Sequence, residues 1–403
     1  MALDLDLVRA RFPALADGFA YFDNAGGSLV LKDVAERVAE YMVTTSVQTG
    51  AGYVHSQRAS ARVAAARARV ATWLGARRPE EIVFGPSTTV LAQFLAKSMA
   101  GRLQPGDEVV VTDFDHESNI GPWRALEKAG LVVREWRIDR ETMQPDLAAL
   151  DRLLGPRTRL VAVTHASNIL GTINPIAEIA RRVHAAGAEL VVDAVAYAPH
   201  RSLDVAGWDV DYYMFSFYKT YGPHLAVMYG KHDKLLELDG LYHYFYGRDK
   251  VPAKLEPGNA SYEMSWGAAG IVDYLEELGG GGGRPALDRA FGAIATHEAA
   301  LAERLLGFLR ARNDIRVIGE RSSDPALRVP TIAFKVAGRD SAAIVAQVDH
   351  DPIGIRYGDF HSRRLVENLG LAEGNGVVRA SMVHYNTLAE VDRLVDSLHR
   401  ALA

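Results

Sequence analysis

An aspartate and a lysine, each at the end of a strand-like run, are the residues best placed to do chemistry. Leu190–Val192 is a short apolar run of the kind that makes a buried parallel strand, and Asp193 stands at its carboxyl end. Tyr212–Phe215 is an aromatic run, and Lys219 follows it just before a Gly222-Pro223 break. A lysine so placed loses part of its hydration, which lowers its pKa and leaves a usable nucleophilic amine. An acid on one strand end and an amine beyond the next suit pyridoxal 5'-phosphate (PLP). The amine forms the Schiff base, and the carboxylate keeps the ring nitrogen protonated so that the ring withdraws electrons. The two residues alone fit an ordinary salt bridge with a solvated lysine equally well.

Other stretches carry groups that such a site would need. Glu81–Gly85, Pro86-Ser87-Thr88-Thr89 and Val90–Ala100 read as strand, turn and helix. The unpaired donors and dipole at a helix start favour an anion, and Thr88 and Thr89 add hydroxyls, although a plain helix cap explains the same residues. His116, in Asp113-Phe-Asp-His116-Glu-Ser-Asn119 after a strand at Asp107–Thr112, could stack on a planar cofactor and act as acid or base. It reads equally as a hydrogen-bonded surface histidine. Arg379, inside the apolar strand Gly376–Ser381, needs an anionic partner. Its guanidinium fork suits an α-carboxylate, or a bridge to an internal acid.

The elements that must position these groups alternate. Strands at 131–138 and 159–164 and helices near 146–154 and 176–186 give the βαβ rhythm of a parallel sheet. In such sheets sites gather at the carboxyl ends of the strands, where Thr88, His116, Asn168 and Asp193 all fall. Upstream, a short helix at Leu5–Arg11 and a helix at Lys32–Val47 precede an irregular polar segment, Gln48–Ser60, and an Ala/Arg-rich helix at 61–74. Trp266–Leu278 reads as a helix and Gly279–Gly283 as a flexible linker. From Ala286 the pattern changes to a long helix (286–312), strands at 315–318 and 329–336 and helices at 340–349 and 388–402. The expected organisation is an arm at 1–20 packing with the second domain, a large domain at 21–278 and a smaller α+β domain at 284–403.

Composition narrows the function. The chain has 403 residues, 48% of them hydrophobic and 24% charged, which fits a soluble globular protein with room for two domains. A formal charge of -5 leaves no basic surplus to neutralise phosphates, so neither nucleic acid nor an anionic membrane is an expected partner. The acidic N-terminus lacks the order of a signal peptide, and a cytoplasmic location is the expectation. The absence of cysteine excludes disulfides, thiolate metal sites and every cysteine-nucleophile mechanism. With 13 histidines but no His-Glu-x-x-His pair, no catalytic metal is expected. The glycine run follows a helix and not a strand, so it is not a dinucleotide fingerprint.

Ala162-Val-Thr-His-Ala-Ser-Asn168-Ile-Leu-Gly-Thr, Val191-Val-Asp193 and Phe215-Ser216-Phe-Tyr218-Lys219-Thr-Tyr-Gly-Pro together resemble the class V aminotransferases, fold-type I PLP enzymes, and among them the cysteine desulfurases. The resemblance continues more weakly over nearly the whole chain. It implies a fold-type I α/β architecture: a mostly parallel seven-stranded sheet in the large domain and a smaller α+β C-terminal domain. It further implies that Lys219 carries PLP, that Asp193 meets the ring nitrogen and that His116 stacks on the ring. Thr88, Thr89 and Ser216, with Tyr218, would grip the phosphate, and Asn168 would contact the cofactor. Asn259, where a threonine is usual, would reach the phosphate of the neighbouring subunit, which implies a homodimer with shared sites. Asn24, in the Asp-Asn-Ala turn, becomes a substrate contact and Arg379 the clamp for the substrate carboxylate. Arg356 is taken as a further substrate contact, and His361 as one that shapes the substrate, with acid–base work or simple filling of the space as its alternatives.

The chain also departs from that pattern. Cysteine desulfurases carry their catalytic cysteine on the loop matching Asp359-Phe360-His361, and none is present here. A usual glutamine beside the cofactor's phenolic oxygen is Ala196, and a usual histidine before the lysine is Tyr218. The reading that follows is a PLP enzyme that takes an α-amino acid through a Cα carbanion, first of all a lyase acting on the side chain. An enzyme forming C–C or C–N bonds in natural-product assembly, an aminotransferase or epimerase, and a non-catalytic interaction module are the alternatives.

Overall fold

The computed structural model describes residues 3–403, so the first two residues of the expected N-terminal arm lie outside it. Its strands are β1 (Ala20–Tyr21), β2 (Ile82–Gly85), β3 (Glu108–Thr112), β4 (Val132–Trp136), β5 (Thr158–Thr164), β6 (Glu189–Asp193), β7 (Tyr212–Ser216), β8 (Ala226–Gly230), β9 (Ile315–Ile318), β10 (Thr331–Val336), β11 (Ile353–Gly354), β12 (Arg356–Gly358) and β13 (Val377–Ser381).

Seven of them form one sheet in the order β2-β8-β7-β6-β5-β3-β4. Every neighbouring pair is parallel except the two that involve β8, so the expected mostly parallel seven-stranded sheet is observed. The short apolar run at Ala226–Gly230 was not foreseen as a strand. Joined to β7 by a brief turn, it has no room for a crossover and must come back antiparallel. Alternation along β6 sends Val191 to one face and Leu190 and Val192 to the other, and both faces are packed. Helix Ile176–Ala185 covers one face with Ile176, Ile179, Ala180 and Val183, an i, i+3, i+4, i+7 stripe. Helix Thr88–Met99 covers the other with Leu91, Ala92, Leu95 and Ala96.

A second, antiparallel sheet has the order β12-β13-β10-β9. Helices Gly283–Arg310, Ser341–Val348 and Leu388–Ala401 supply its apolar cover, including Leu305, Ile344 and Leu394. The N-terminal segment joins the two halves. β1 pairs in parallel with β11, and Phe12 packs edge-on against Tyr221 and Tyr274 on one side and His384 on the other. Among the described residues no helix is long and apolar enough to cross a membrane.

Two local expectations need correction. The helix predicted from residue 61 begins at Val54, because Ala59 faces the core and Ser56 and Ser60 turn their hydroxyls to nearby backbone carbonyls. The irregular polar segment is accordingly shorter. The glycine run is not a free linker. Gly279, Gly280 and Gly281 donate to the carbonyls of Leu275, Glu277 and Glu276, and Gly283 donates to the Glu276 carboxylate. Gly279 is a glycine because the next helix packs close, where a Cβ would collide with the Ala286 carbonyl, and Gly280 and Gly283 turn with φ of 66° and 67°.

That difference between crowded and open glycines gives a stability test. Gly279→Ala should lower stability by about 1–3 kcal/mol through overpacking. Gly292→Ala, in the open face of helix Gly283–Arg310 with nothing near its Cβ, should raise it by roughly 0.5–1 kcal/mol. Thermal melting of both variants checks the signs.

Candidate active site

The carboxyl ends of β2, β3, β5, β6 and β7 meet around one slot, lined by Thr88, His116, Asn168, Asp193, Ser216 and Lys219. Beyond it the space widens into a mouth of about 910 Å³, bordered by Arg356, Phe360, His361 and Arg379. The sequence had placed these side chains on separate elements, and the fold brings them together.

One end of the slot is built for an anion. β2 is buried throughout and ends at Gly85, after which Ser87 caps the helix by accepting from the Val90 amide at 3.2 Å. The Thr88 hydroxyl lies 2.7 Å from the Ser216 hydroxyl, and the Thr88 amide is 3.2 Å from the same oxygen. Thr89 stands exposed in the first turn and borders the slot. Two hydroxyls at a helix start, with amides and dipole aimed outward, suit a phosphate group. Tyr218 lines the slot as well, and its ring lies flat against His224, 4.8 Å between centroids and 6° apart.

The other end carries an acid and an amine in nearly dry surroundings. Asp193, 3% exposed, accepts one hydrogen bond, from the Val195 amide at 2.9 Å, and burial pushes its carboxyl up to about 6. A carboxylate so short of donors is stabilised by any protonated nitrogen placed before it. Lys219 ends a single helical turn after β7, and desolvation, helped by the nearby Arg379 charge, brings its ammonium down to about 8. His116 accepts from the Ser118 amide at its Nδ1, 3.1 Å away, which puts the ring proton of the neutral form on Nε2. Burial, then Lys219, lower its pKa to about 3, so the ring stays neutral and offers a flat, uncharged face.

Taken as a donor set, the phosphate cradle, the acid short of partners, the neutral ring and the soft amine fit PLP. Ala196 borders the slot where a glutamine would reach the phenolic oxygen, so that contact is missing.

Arg379, 2% exposed on β13, holds the Asp23 carboxylate at 3.1 Å and donates to the Asn168 carbonyl at 3.2 Å. The ring of Phe360 lies 3.7 Å from its guanidinium, and its Nε has no partner among the described residues. Burial lowers its pKa to about 10, so it remains charged at neutral pH. Arg356 is the register partner of Arg379 on β12 and approaches the second oxygen of Asp23 at 3.4 Å. Two guanidinium groups therefore share one acid.

The loop after β12 folds over the mouth. Phe360 and His361 are both left-handed, with φ of 51° and 60°, a conformation costing about 1–2 kcal/mol per residue. Hydrogen bonds hold it: the Asn168 amide donates to the Phe360 carbonyl at 2.9 Å, and the Glu117 amide donates to the His361 carbonyl at 2.8 Å. The Ser362 hydroxyl lies 2.8 Å from the Asn168 amide oxygen. His361 thus comes to rest with its ring 5.2 Å from that of His116.

Two of the expected contacts are engaged within the chain, and a third is one expected with a partner subunit. Asn24 does not face the mouth. Its amide donates to the carbonyls of Tyr21 and Ser381, its oxygen takes the Tyr385 hydroxyl, and Ala25 and Gly26 line the space instead. Asn168 borders the slot, but both ends of its amide hold the 360–362 loop. Asn259 is exposed and borders neither space, on a segment anchored by the pair of Glu256 with Arg67 at 2.8 Å. The sequence reading missed Asp23 and Phe360 as site residues, because only the bridge of Asp23 to Ser381 on β13 and the pairing of β12 with β13 set them against Arg379. It also missed Asp115, buried behind Asp193 and bonded to the Thr112 hydroxyl at 2.7 Å, whose carboxyl burial holds well above the usual range.

The family model for aminotransferase class-V matches residues 20–394. An aminotransferase-like protein of Gibberella zeae is 42% identical over 100% of this chain and 99% of its own length. A nonribosomal peptide synthetase-like enzyme of Aspergillus fumigatus is 36% identical over 98% of this chain, which corresponds to 26% of that longer protein. The apo structure of a cysteine desulfurase from Thermococcus onnurineus NA1 superposes with a TM-score of 0.89 at 27% identity, covering 99% of this chain and 98% of that one. The fold agrees with these matches: the chain belongs to the class V aminotransferase family, whose members use pyridoxal 5'-phosphate.

Proposed function

We propose that this protein is a PLP-dependent lyase that removes or cleaves the side chain of an α-amino acid, working as a homodimer, and that it is not a persulfide-type cysteine desulfurase. The observation that carries this reading is the occupancy of the loop over the slot. His361 stands there, in a cysteine-free chain, above an amine, an acid and an arginine suited to amino-acid chemistry. Persulfide transfer needs a thiolate that attacks sulfur and then holds it, and no other side chain does both.

In this reading Thr88, Thr89 and Ser216 hold the phosphate, and Asn259 of one subunit reaches the phosphate of its partner. Asp193 keeps the ring nitrogen protonated, and His116 covers the ring face. When bound, the cofactor supplies an electron sink for the pair left at Cα. Arg379 takes the α-carboxylate by its fork, with Asp23 and Arg356 adjusting to share the charge. Lys219, soft enough to be a free amine near neutral pH, carries the cofactor and moves the proton at Cα. Asn24 and Asn168 act at one remove, by fixing the turn at Asp23 and the loop at His361. A second reading, bond formation in natural-product assembly, draws on the relative named as a nonribosomal peptide synthetase-like enzyme and on the width of the mouth.

Borohydride treatment of the yellow holoenzyme should fix the cofactor to the peptide carrying Lys219, and attachment elsewhere sinks the assignment. A lysine titrating near 8 is protonated below that pH and free above it. Cofactor uptake by the apoprotein should therefore accelerate as pH rises toward about 8 and level off beyond it. Arg379→Ala should keep the absorbance of the bound cofactor while substrate affinity weakens by roughly 2–4 kcal/mol; loss of cofactor or of folding would make Arg379 structural. Offered cysteine with a reductant, the enzyme should give sulfide, pyruvate and ammonia with no more than a trace of alanine. Stoichiometric alanine, with sulfur passed to an acceptor, would overturn the lyase reading.

A further inference from the structure

His361 is the residue the proposed chemistry has not yet used. Its backbone is fixed in a strained left-handed turn by contacts from separate parts of the chain: the Glu117 amide, the Asn168 side chain and the stack of Phe360 on Arg379. Strain kept at a cleft by so many contacts points to a side chain that must be aimed. The imidazole borders the mouth that Lys219 also lines, with its ring 5.2 Å from that of His116. Of the two rings, His116 is held neutral by burial and by the Lys219 charge, whereas His361 is exposed to solvent.

We propose that His361 is a catalytic acid for the departing side chain, a proton station separate from Lys219. This rests on the lyase reading above. The Cα–H bond breaks and its proton passes to Nζ of Lys219. The electron pair becomes the second bond between Cα and Cβ as the bond from Cβ to the leaving atom breaks. The leaving atom departs with that pair and takes a ring N–H proton from His361. Solvent at the mouth returns a proton to His361, and water later releases the remaining carbon skeleton as a keto acid and ammonia. The arrangement explains how this chain manages without a thiol at the same loop position: the loop delivers a proton to the leaving group and not a nucleophile.

A series of β-substituted alanines tests this. β-Chloro-L-alanine loses chloride, which needs no proton, while O-acetyl-L-serine, L-cysteine and L-serine lose progressively more basic groups. Rates of the holoenzyme and of His361→Gln are compared across the series, with the cofactor absorbance of each variant confirming that it is folded and loaded. The expected ratio is near one for β-chloro-L-alanine and rises with leaving-group basicity to about 10²–10⁴-fold. His361→Ala should be rescued by added imidazole on the basic leaving groups alone. A ratio that stays flat across the series, whether near one or far above it, overturns the assignment and leaves the lyase reading standing. If the wild-type protein shows the spectral change of amino-acid binding yet releases no chloride from β-chloro-L-alanine, the lyase reading fails and takes this proposal with it.

Discussion

A buried arginine with a single acidic partner organises this structure. Arg379 cannot be removed from water without a counter-charge, because an unpaired buried guanidinium costs several kcal/mol. Asp23 supplies that charge at 3.1 Å, and doing so fixes the turn that follows β1 against the end of β13. The Tyr385 hydroxyl and the Ser381 carbonyl bind Asn24 and lock that turn from the other side. The Asn168 carbonyl, on the loop after β5, closes the set. One ionic contact thus ties the N-terminal segment, the second sheet and the large sheet together at the mouth of the slot.

The charges around the slot follow from the same exclusion of water. Desolvation lowers Lys219 and His116 and raises Asp193, each toward its uncharged form. An amine and an acid brought toward neutrality are primed to accept a charged ligand, since binding restores the charge balance that burial removed. The phosphate end is stabilised differently. There the hydroxyls of Thr88 and Ser216 and the start of a helix provide dipoles, not full charges, and an anion can be held without a buried cation. The 358–362 loop sets Phe360 on the arginine and brings the His361 ring 5.2 Å from that of His116.

Much of this was legible in the amino-acid sequence. Short β-branched runs such as Leu190–Val192 have only one way to be buried on both faces, so parallel strands and their order of appearance could be read directly. Strand ends are where such sheets place chemistry, which singles out Asp193 and Lys219, while His116, Thr88 and Ser216 are named through the family resemblance. The helix start at Val54 and the closed glycine turn escaped notice, because both depend on how elements pack: the core beneath Ala59 and the Ala286 carbonyl of the following helix.

Asn24 shows the limit most clearly. An Asp-Asn-Ala-Gly turn beside a site looks like a ligand contact, and sequence offers no means of telling which side chain of the turn faces inward. The amino-acid sequence by itself determined the residue types, the sheet that presents them and the lack of any thiol, because periodicity and composition are local properties. Only the tertiary structure decided that Asp23 and not Asn24 meets the arginine, that Asn168 holds a loop and that His361 lies over His116. Those are outcomes of long-range pairing, in which β12 aligns with β13 and each buried polar group takes whichever partner the packing brings within reach.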